Sequence, residues 1–299
     1  MKKNTFLMLA VVAVLAILVL KMTSSGGQKS PGTPQGAASA TKDMVTVVGS
    51  DTMVHLVSAW AEGYMKVHPG AGITVTGGGS GPGIRALIDG TTAICAASRP
   101  MDAKETADAT KAGFTPKEYH VALDGISVIV NPGNALNEVT MEQLKKIFTG
   151  ASNDWKQIGT GSGPIEVISR ESSSGTYKFF QEHVMKKEDY AASAKMMPAT
   201  ASIIQTVGQD AGAIGYVGLG YAAGAKGSIK VLRVKKDAKS PAVTPSEATV
   251  KDGSYPVARP LFLYTRGEAS GAAKAFIDYC LSPAGQQIVK DTGYVTVAK

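Results

Sequence analysis

The chain has 299 residues, 44% of them hydrophobic, which is enough to bury a sizeable core as one large domain or two medium ones. Its 34 glycines and 6% aromatics suit an α/β protein with many tight turns and argue against a β-sandwich or a coiled coil. The net charge of +7 comes from scattered basic residues with no aromatics interleaved among them, so no nucleic-acid partner is expected.

The N-terminus reads as a targeting segment. Lys2 and Lys3 precede an unbroken apolar run, Phe6 to Leu20. Its 15 residues match a secretory h-region and fall short of an ordinary membrane span. Residues 1–22 are therefore expected to be a signal peptide or an uncleaved anchor. Residues 23–43, rich in Ser, Gly, Pro and Ala, are expected to be a flexible linker. Ala38-Ser39-Ala40 has the A-x-A form but lies far beyond the h-region for ordinary cleavage. No Cys follows the h-region, so a lipid anchor is not indicated. The expected location is periplasmic or otherwise extracytoplasmic, with the segment either cleaved or anchoring the chain to the inner membrane.

The folded part starts near Met44. Val45 to Val48 predicts a strand, and Met53, Val54, Leu56, Val57, Trp60, Ala61, Tyr64 and Met65 recur at helical spacing until His68-Pro69-Gly70. Ile73 to Thr76 predicts a second strand, Ile84 to Ile88 a second helix and Ile94 to Ala97 a third strand. A β-branched strand is expected over Gly125 to Val130, then a helix over Met141 to Phe148 with Thr140 as N-cap. Ile165 to Ile168 reads as a strand, followed by a helix from Tyr177 to Val184. Further strands are expected at Ala213–Val217, Ile229–Val234 and Leu261–Tyr264, and helices at Gly271–Leu281 and Pro283–Lys290. This alternation argues for mainly parallel sheets. Cys95 and Cys280 lack CxxC spacing and a nearby His, so no metal is expected. A disulfide between them and two separately buried thiols are both open.

Four polar turns follow short apolar strands: Gly49-Ser50-Asp51-Thr52, Gly79-Ser80-Gly81, Ser98-Arg99-Pro100 and Arg170 through Thr176. At least three open a helix, where unpaired N–H groups and a partial positive charge suit an oxyanion. Glycine permits close backbone approach, and Arg99 and Arg170 could add charge-assisted hydrogen bonds. In open α/β sheets ligands sit beyond the carboxyl ends of the strands, where these turns lie. One such turn is usually only a cap, and an isolated Arg170 would usually be a surface residue. Four together point to anion binding.

The same residues resemble a known family. Gly49-Ser50-Asp51-Thr52-Met53 is similar to the GSTT-type opening of the periplasmic phosphate-binding proteins of phosphate ABC transporters, the PstS family. Gly78-Gly79-Ser80-Gly81 with Gly83-Ile84, and Ala97-Ser98-Arg99-Pro100, resemble their second and third loops. Arg170-Glu171-Ser172-Ser173-Ser174-Gly175-Thr176 resembles their R-x-x-S-S/G-S-G-T loop, the most specific of the set. Weaker matches at Asp124-Gly125-Ile126, Gly212–Tyr216 and Tyr255–Tyr264 extend the resemblance over about residues 44 to 299.

The resemblance implies an α/β type II periplasmic-binding fold, two lobes joined by a two-crossing hinge. Lobe 1 would hold 44–125 plus 225–299 and lobe 2 would hold 126–224, with crossings near Asp124–Val128 and Val217–Ala225. It implies inorganic phosphate as ligand, transmembrane permease subunits as partners, a monomer, and no cofactor or catalysis. Carried over, Thr52 would donate through its hydroxyl, Met53 through its N–H, and Ser80 from the second loop. Arg170 would form the ionic clamp, and Ser174, Gly175 and Thr176 would supply hydroxyl and N–H donors, with Ser50 beside them. Arg99 stands where some relatives carry an Asp that accepts the ligand's proton and so rejects sulfate. Asp51 replaces a usual Ser or Thr and either takes over that acceptor role or caps a helix facing away from the anion. Other classes fit less well. The loop at Gly77–Gly83 lacks the Gly-Lys-Ser/Thr of a P-loop, and GxSxG is absent around Ser174. A sulfate, molybdate or tungstate binder would share the fold, and a surface phosphate sensor or adhesin-like module is a further alternative.

Overall fold

The computed structural model describes residues 43–297, so the expected signal or anchor segment and nearly all of the linker lie outside the described residues. Strand β1 (Asp43–Gly49) runs through a 3-10 turn (Asp51–Met53) into helix α1 (Val54–Val67). Strand β2 (Ala71–Thr76), helix α2 (Ser80–Ile88), strand β3 (Ile94–Ala97) and helix α3 (Ala103–Lys111) follow. Next come strand β4 (Pro116–Val130), β5 (Glu138–Thr140), α4 (Met141–Phe148) and β6 (Glu166–Arg170). Then α5 (Gly175–His183), β7 (Lys195–Met197), α6 (Thr200–Gln209), β8 (Ala213–Gly218) and α7 (Leu219–Gly224). The chain ends with β9 (Lys230–Val231), β10 (Arg233–Lys235), α8 (Glu247–Lys251), β11 (Ala258–Arg266), α9 (Gly271–Leu281) and α10 (Pro283–Asp291). Thr140 caps α4 as its position predicts, in a reciprocal pair with Gln143.

One sheet runs β2-β1-β3-β11-β4-β8-β6-β7, with β9 also on β4, and β10 pairs β5 separately. The outer strands pair in parallel, as the alternating pattern predicts. The middle of the sheet is antiparallel, at β3–β11, β11–β4 and β4–β8. The reason is that β4 and β11 are not laid down by crossover helices. They pass between the two halves of the molecule and pair with each other on the way.

Side-chain alternation gives each half a helix-covered sheet. Along β11, Leu261 and Leu263 pack toward Trp60, Phe276 and Ile277, while Phe262 and Tyr264 pack toward Ile84 and Leu87 on the other face. Along β4, Val128 and Val130 join Phe148, Phe180 and Tyr216, while Ile129 joins Ile168, Ile203 and Val207. Each half is thus a three-layer α/β lobe with helices on both faces.

Strand β4 changes partner at the junction. Pro116 to Gly125 pair with β11, and Ile126 to Val130 pair with β8. Ile126 N–H also donates to Val257 O at 2.7 Å, immediately before β11. Leu232, Val234, Val250, Tyr255 and Val257 pack in one core with Ile126 and Val128. The apolar run at 229–234 does not say which core it joins; the pairing of β9 with β4 decides it. Cys95 and Cys280 are free, buried and in different core clusters. Among the described residues no helix is long and apolar enough to cross a membrane.

Candidate functional site

The four turns meet between the lobes. Gly49 ends β1 with its backbone against β3, where an added Cβ would lie 2.0 Å from Ala96 O. That contact lets Ser50 N–H reach Ala96 O at 2.8 Å and Gly79 N–H reach Gly49 O at 2.9 Å, which ties the first three turns together. Their hydroxyls form a buried chain. Ser50 Oγ donates to Ser98 Oγ at 2.9 Å, Ser98 Oγ lies 3.2 Å from Ser80 Oγ, and Ser98 N–H donates to Ser80 Oγ at 3.0 Å.

The fourth turn closes on this wall from the second lobe. Gly81 N–H donates to Ser173 O at 3.2 Å, and Thr52 Oγ1 lies 2.6 Å from Thr176 Oγ1. Ser174 caps α5, its Oγ accepting from Thr176 N at 3.2 Å and Tyr177 N at 3.4 Å. Gly175 follows at the first helical position, where an N–H has no partner within the helix. Its absent side chain lets α5 approach, since a Cβ there would meet Ser80 Oγ at 2.3 Å and Ser98 Oγ at 2.7 Å. Ser50, Thr52, Ser80, Ser98, Ser174 and Thr176 are all buried.

Arg170 is 2% exposed at the end of β6. Its Nε donates to Met197 O at 3.2 Å, NH1 to Thr200 Oγ1 at 2.9 Å and NH2 to Pro198 O at 2.8 Å, and NH1 lies 3.2 Å from Asp51 Oδ2. Burial lowers the guanidinium's pKa, and the Asp51 charge opposes that shift. Asp51 reaches across from the first lobe, where Oδ2 accepts from both Thr200 N and Thr200 Oγ1 at 2.8 Å. Ala199, the N-cap residue of α6, makes no side-chain cap, so this carboxylate serves the first turn of α6 from the opposite lobe. Asp51 is therefore a helix-capping group, but the helix it caps is not its own.

Arg99 and Met53 are not brought to the hydroxyl cluster by their donor groups. Both Arg99 terminal nitrogens bind Glu105, at 2.7 and 2.6 Å, and NH1 also donates to Pro100 O. Burial opposes the charge, yet Glu105 holds the Arg99 pKa above its ordinary value. Glu105 and Asp102 form the capping box of α3, and Lys178 of α5 donates to Asp102 Oδ2 at 2.6 Å. The third turn is thereby braced rather than charged. Met53 N–H is given to Ser50 O at 3.0 Å within the 3-10 turn.

Sequence reasoning missed Ser98, Thr200 and the buried pair Asp124–Arg259. Ser98 lies in the third turn beside Arg99, whose charge is the stronger local signal for an anion. Asp124 and Arg259 lay in the weaker matches, where nothing in the local pattern marks a charge as buried. Their carboxylate and guanidinium are 3.1 Å apart and both fully enclosed. Burial acts against both charges, pushing the Asp124 carboxyl up and the Arg259 guanidinium down, and their mutual attraction opposes it. No cluster of metal-ligating side chains occurs among the described residues.

Two three-layer α/β lobes, joined by paired crossing strands and facing each other through hydroxyl-bearing helix N-termini, define a type II periplasmic-binding protein. The model of the PBP superfamily domain matches residues 32–284. The phosphate-binding protein PstS of Staphylococcus haemolyticus is 34% identical over 94% of this chain and 90% of its own length. PstS of Pseudomonas aeruginosa is 32% identical over 86% of this chain and 84% of its own. Among solved structures, a chain described as a phosphate ABC transporter substrate-binding protein with bound phosphate, from Clostridium perfringens, superposes with a TM-score of 0.77 at 31% identity. It covers 85% of this chain and 100% of its own. The chain belongs to the PstS family of the PBP superfamily.

Proposed function

We propose that this protein binds inorganic phosphate between its two lobes and delivers it to a membrane ABC permease, for phosphate import. The observation that carries the reading is the meeting of Ser50, Thr52, Ser80, Ser98 and Thr176 hydroxyls with the N-terminus of α5 at Gly175, from both lobes at once. Hydroxyl and N–H donors in a buried layer suit a dehydrated tetrahedral oxyanion. Relatives that share this fold bear phosphate-binding names.

In this reading Ser80, Ser174 and the linked pair Thr52–Thr176 give hydroxyl protons, the pair giving one because its 2.6 Å bond uses the other, while Gly175 gives its N–H and Arg170 supplies the charge. Ser50 and Ser98 orient Ser80. Met53 and Asp51 hold the first turn, and Arg99 braces the third through Glu105. The lobes divide where β4 changes partner, between Gly125 and Ile126, and where the chain enters β11, between Val257 and Ala258. Both walls contribute donors, so the anion favours the closed arrangement and closure is a hinge motion. The protein works outside the cytoplasm, as a monomer, held or released by its N-terminal segment, and has no catalytic step.

Calorimetric titration of anion-stripped protein tests this reading. Phosphate should bind tightly, and sulfate and molybdate much more weakly. Equal or better uptake of sulfate or molybdate would replace phosphate as the ligand, and turnover of a chromogenic phosphoester would contradict a pure binding role.

A further inference from the structure

Arg259 lies at the start of β11, where the chain re-enters the first lobe, and is 3% exposed. Its NH2 group forks, donating to Asp124 Oδ2 at 3.1 Å and to Thr176 Oγ1 at 2.9 Å. Its Nε and NH1 groups have no hydrogen-bond partner among the described residues. The guanidinium carbon sits 5.2 Å from the centre of the Phe179 ring on α5. A guanidinium buried only to neutralise a carboxylate would face both of its oxygens. Here the other Asp124 oxygen accepts Leu219 N–H at 3.0 Å instead. Asp124 thus ties Arg259 to the start of α7 as well as to β4. Stability alone gives no reason to bury donors that stay unpaired.

The chemistry of the fork sets a direction. Arginine only donates, so Thr176 Oγ1 accepts from Arg259. That donation polarises the hydroxyl and makes its proton a stronger donor. Thr176 and Thr52 carry one hydroxyl proton each, and the 2.6 Å link between them uses one. One proton is left for an outside acceptor. We propose that Arg259 is a positioning residue for the bound anion: it holds Thr176 as a charge-assisted donor and so brings a second positive charge to bear on the ligand through that hydroxyl. Contact between β11 of one lobe and α5 of the other makes this arrangement a property of the closed lobes. The inference rests on the phosphate-binding reading.

The test is a double-mutant cycle on the full chain, with phosphate affinity read by calorimetry. Arg259→Met and Thr176→Val should each weaken binding by roughly 10- to 100-fold, the worth of a charge-assisted hydrogen bond. The double variant should be little worse than the weaker single variant, because both changes remove one relay. Arg259→Lys should recover part of the loss, and a purely structural role would lower the melting temperature without this rescue. If Arg259→Met does not fold, Arg259→Gln or Arg259→Met with Asp124→Asn takes its place in the cycle. Additive losses would show that Arg259 acts independently of Thr176, and an unchanged affinity would show that it does not act on the anion; either overturns the inference while phosphate binding stands. A wild type that takes up none of phosphate, sulfate or molybdate removes the binding reading and this inference together.

Discussion

Gly175→Ala adds a single methyl group where α5 closes on the second and third turns. Its Cβ would stand 2.3 Å from Ser80 Oγ, 2.7 Å from Ser98 Oγ and 2.9 Å from Ser80 Cβ. Ordinary contacts between such atoms lie at about 3.5 Å or more, so the overlap is roughly 1 Å. The two serines cannot swing away freely, because both are fully buried and bonded to each other. The helix itself would tolerate alanine, which is favoured over glycine by up to ~1 kcal/mol in a helix interior. The penalty therefore falls on closure and not on folding. Overpacking of this kind costs about 1–3 kcal/mol, or roughly 5- to 150-fold in Kd. Calorimetry should show that loss, and thermal melting of anion-free protein should show little change while the shift induced by phosphate shrinks. Adding Ser80→Gly removes the 2.3 and 2.9 Å contacts but leaves the 2.7 Å one, so it should restore affinity only in part. A Gly175→Ala protein with wild-type Kd would refute the claim that α5 closes against Ser80 and Ser98.

Five further outcomes are expected. Arg170→Ala should weaken phosphate binding by about 100-fold, since a buried charged donor is lost, and an unchanged titration would put the anion elsewhere. Asp51→Asn should keep the preference for phosphate over sulfate, because Oδ2 is already committed to Thr200 and Arg170; equal uptake of both anions would instead place this carboxylate on the ligand's proton. Lys178→Met should speed phosphate release only a few-fold in stopped-flow, because the Lys178–Asp102 pair is about one-third exposed on both sides. Burial resists ionisation of Asp102, but the Lys178 hydrogen bond, the Glu105 N–H and nearby positive charges outweigh it and depress its pKa. A depressed carboxylate stabilises the fold above its unfolded value, near pH 4, and that contribution fades as pH falls through the folded value; acid melting of Asp102→Asn should lose this component. Burial also raises the Cys95 and Cys280 thiols, so a thiol reagent should find two free groups on denaturation and almost none before it.

What the sequence determined by itself was local. The strand Ile94–Ala97 and the helices Met141–Phe148 and Gly271–Leu281 lie where apolar spacing and caps put them, because those signals act within a few residues. The four turns were equally legible, since small, hydroxyl-rich residues at helix starts have few other uses in such number. Partnership was not legible. Nothing near Arg99 says that Glu105 takes both ends of its guanidinium, and nothing near Asp51 says that α6 of the other lobe needs its carboxylate. Nor could the run at 229–234 announce which core would receive it. Those outcomes depend on pairing across β4, on burial and on the approach of two lobes, and each joins residues far apart along the chain. The same holds for Arg259, whose charge matters only because folding sets it between Asp124 and Thr176.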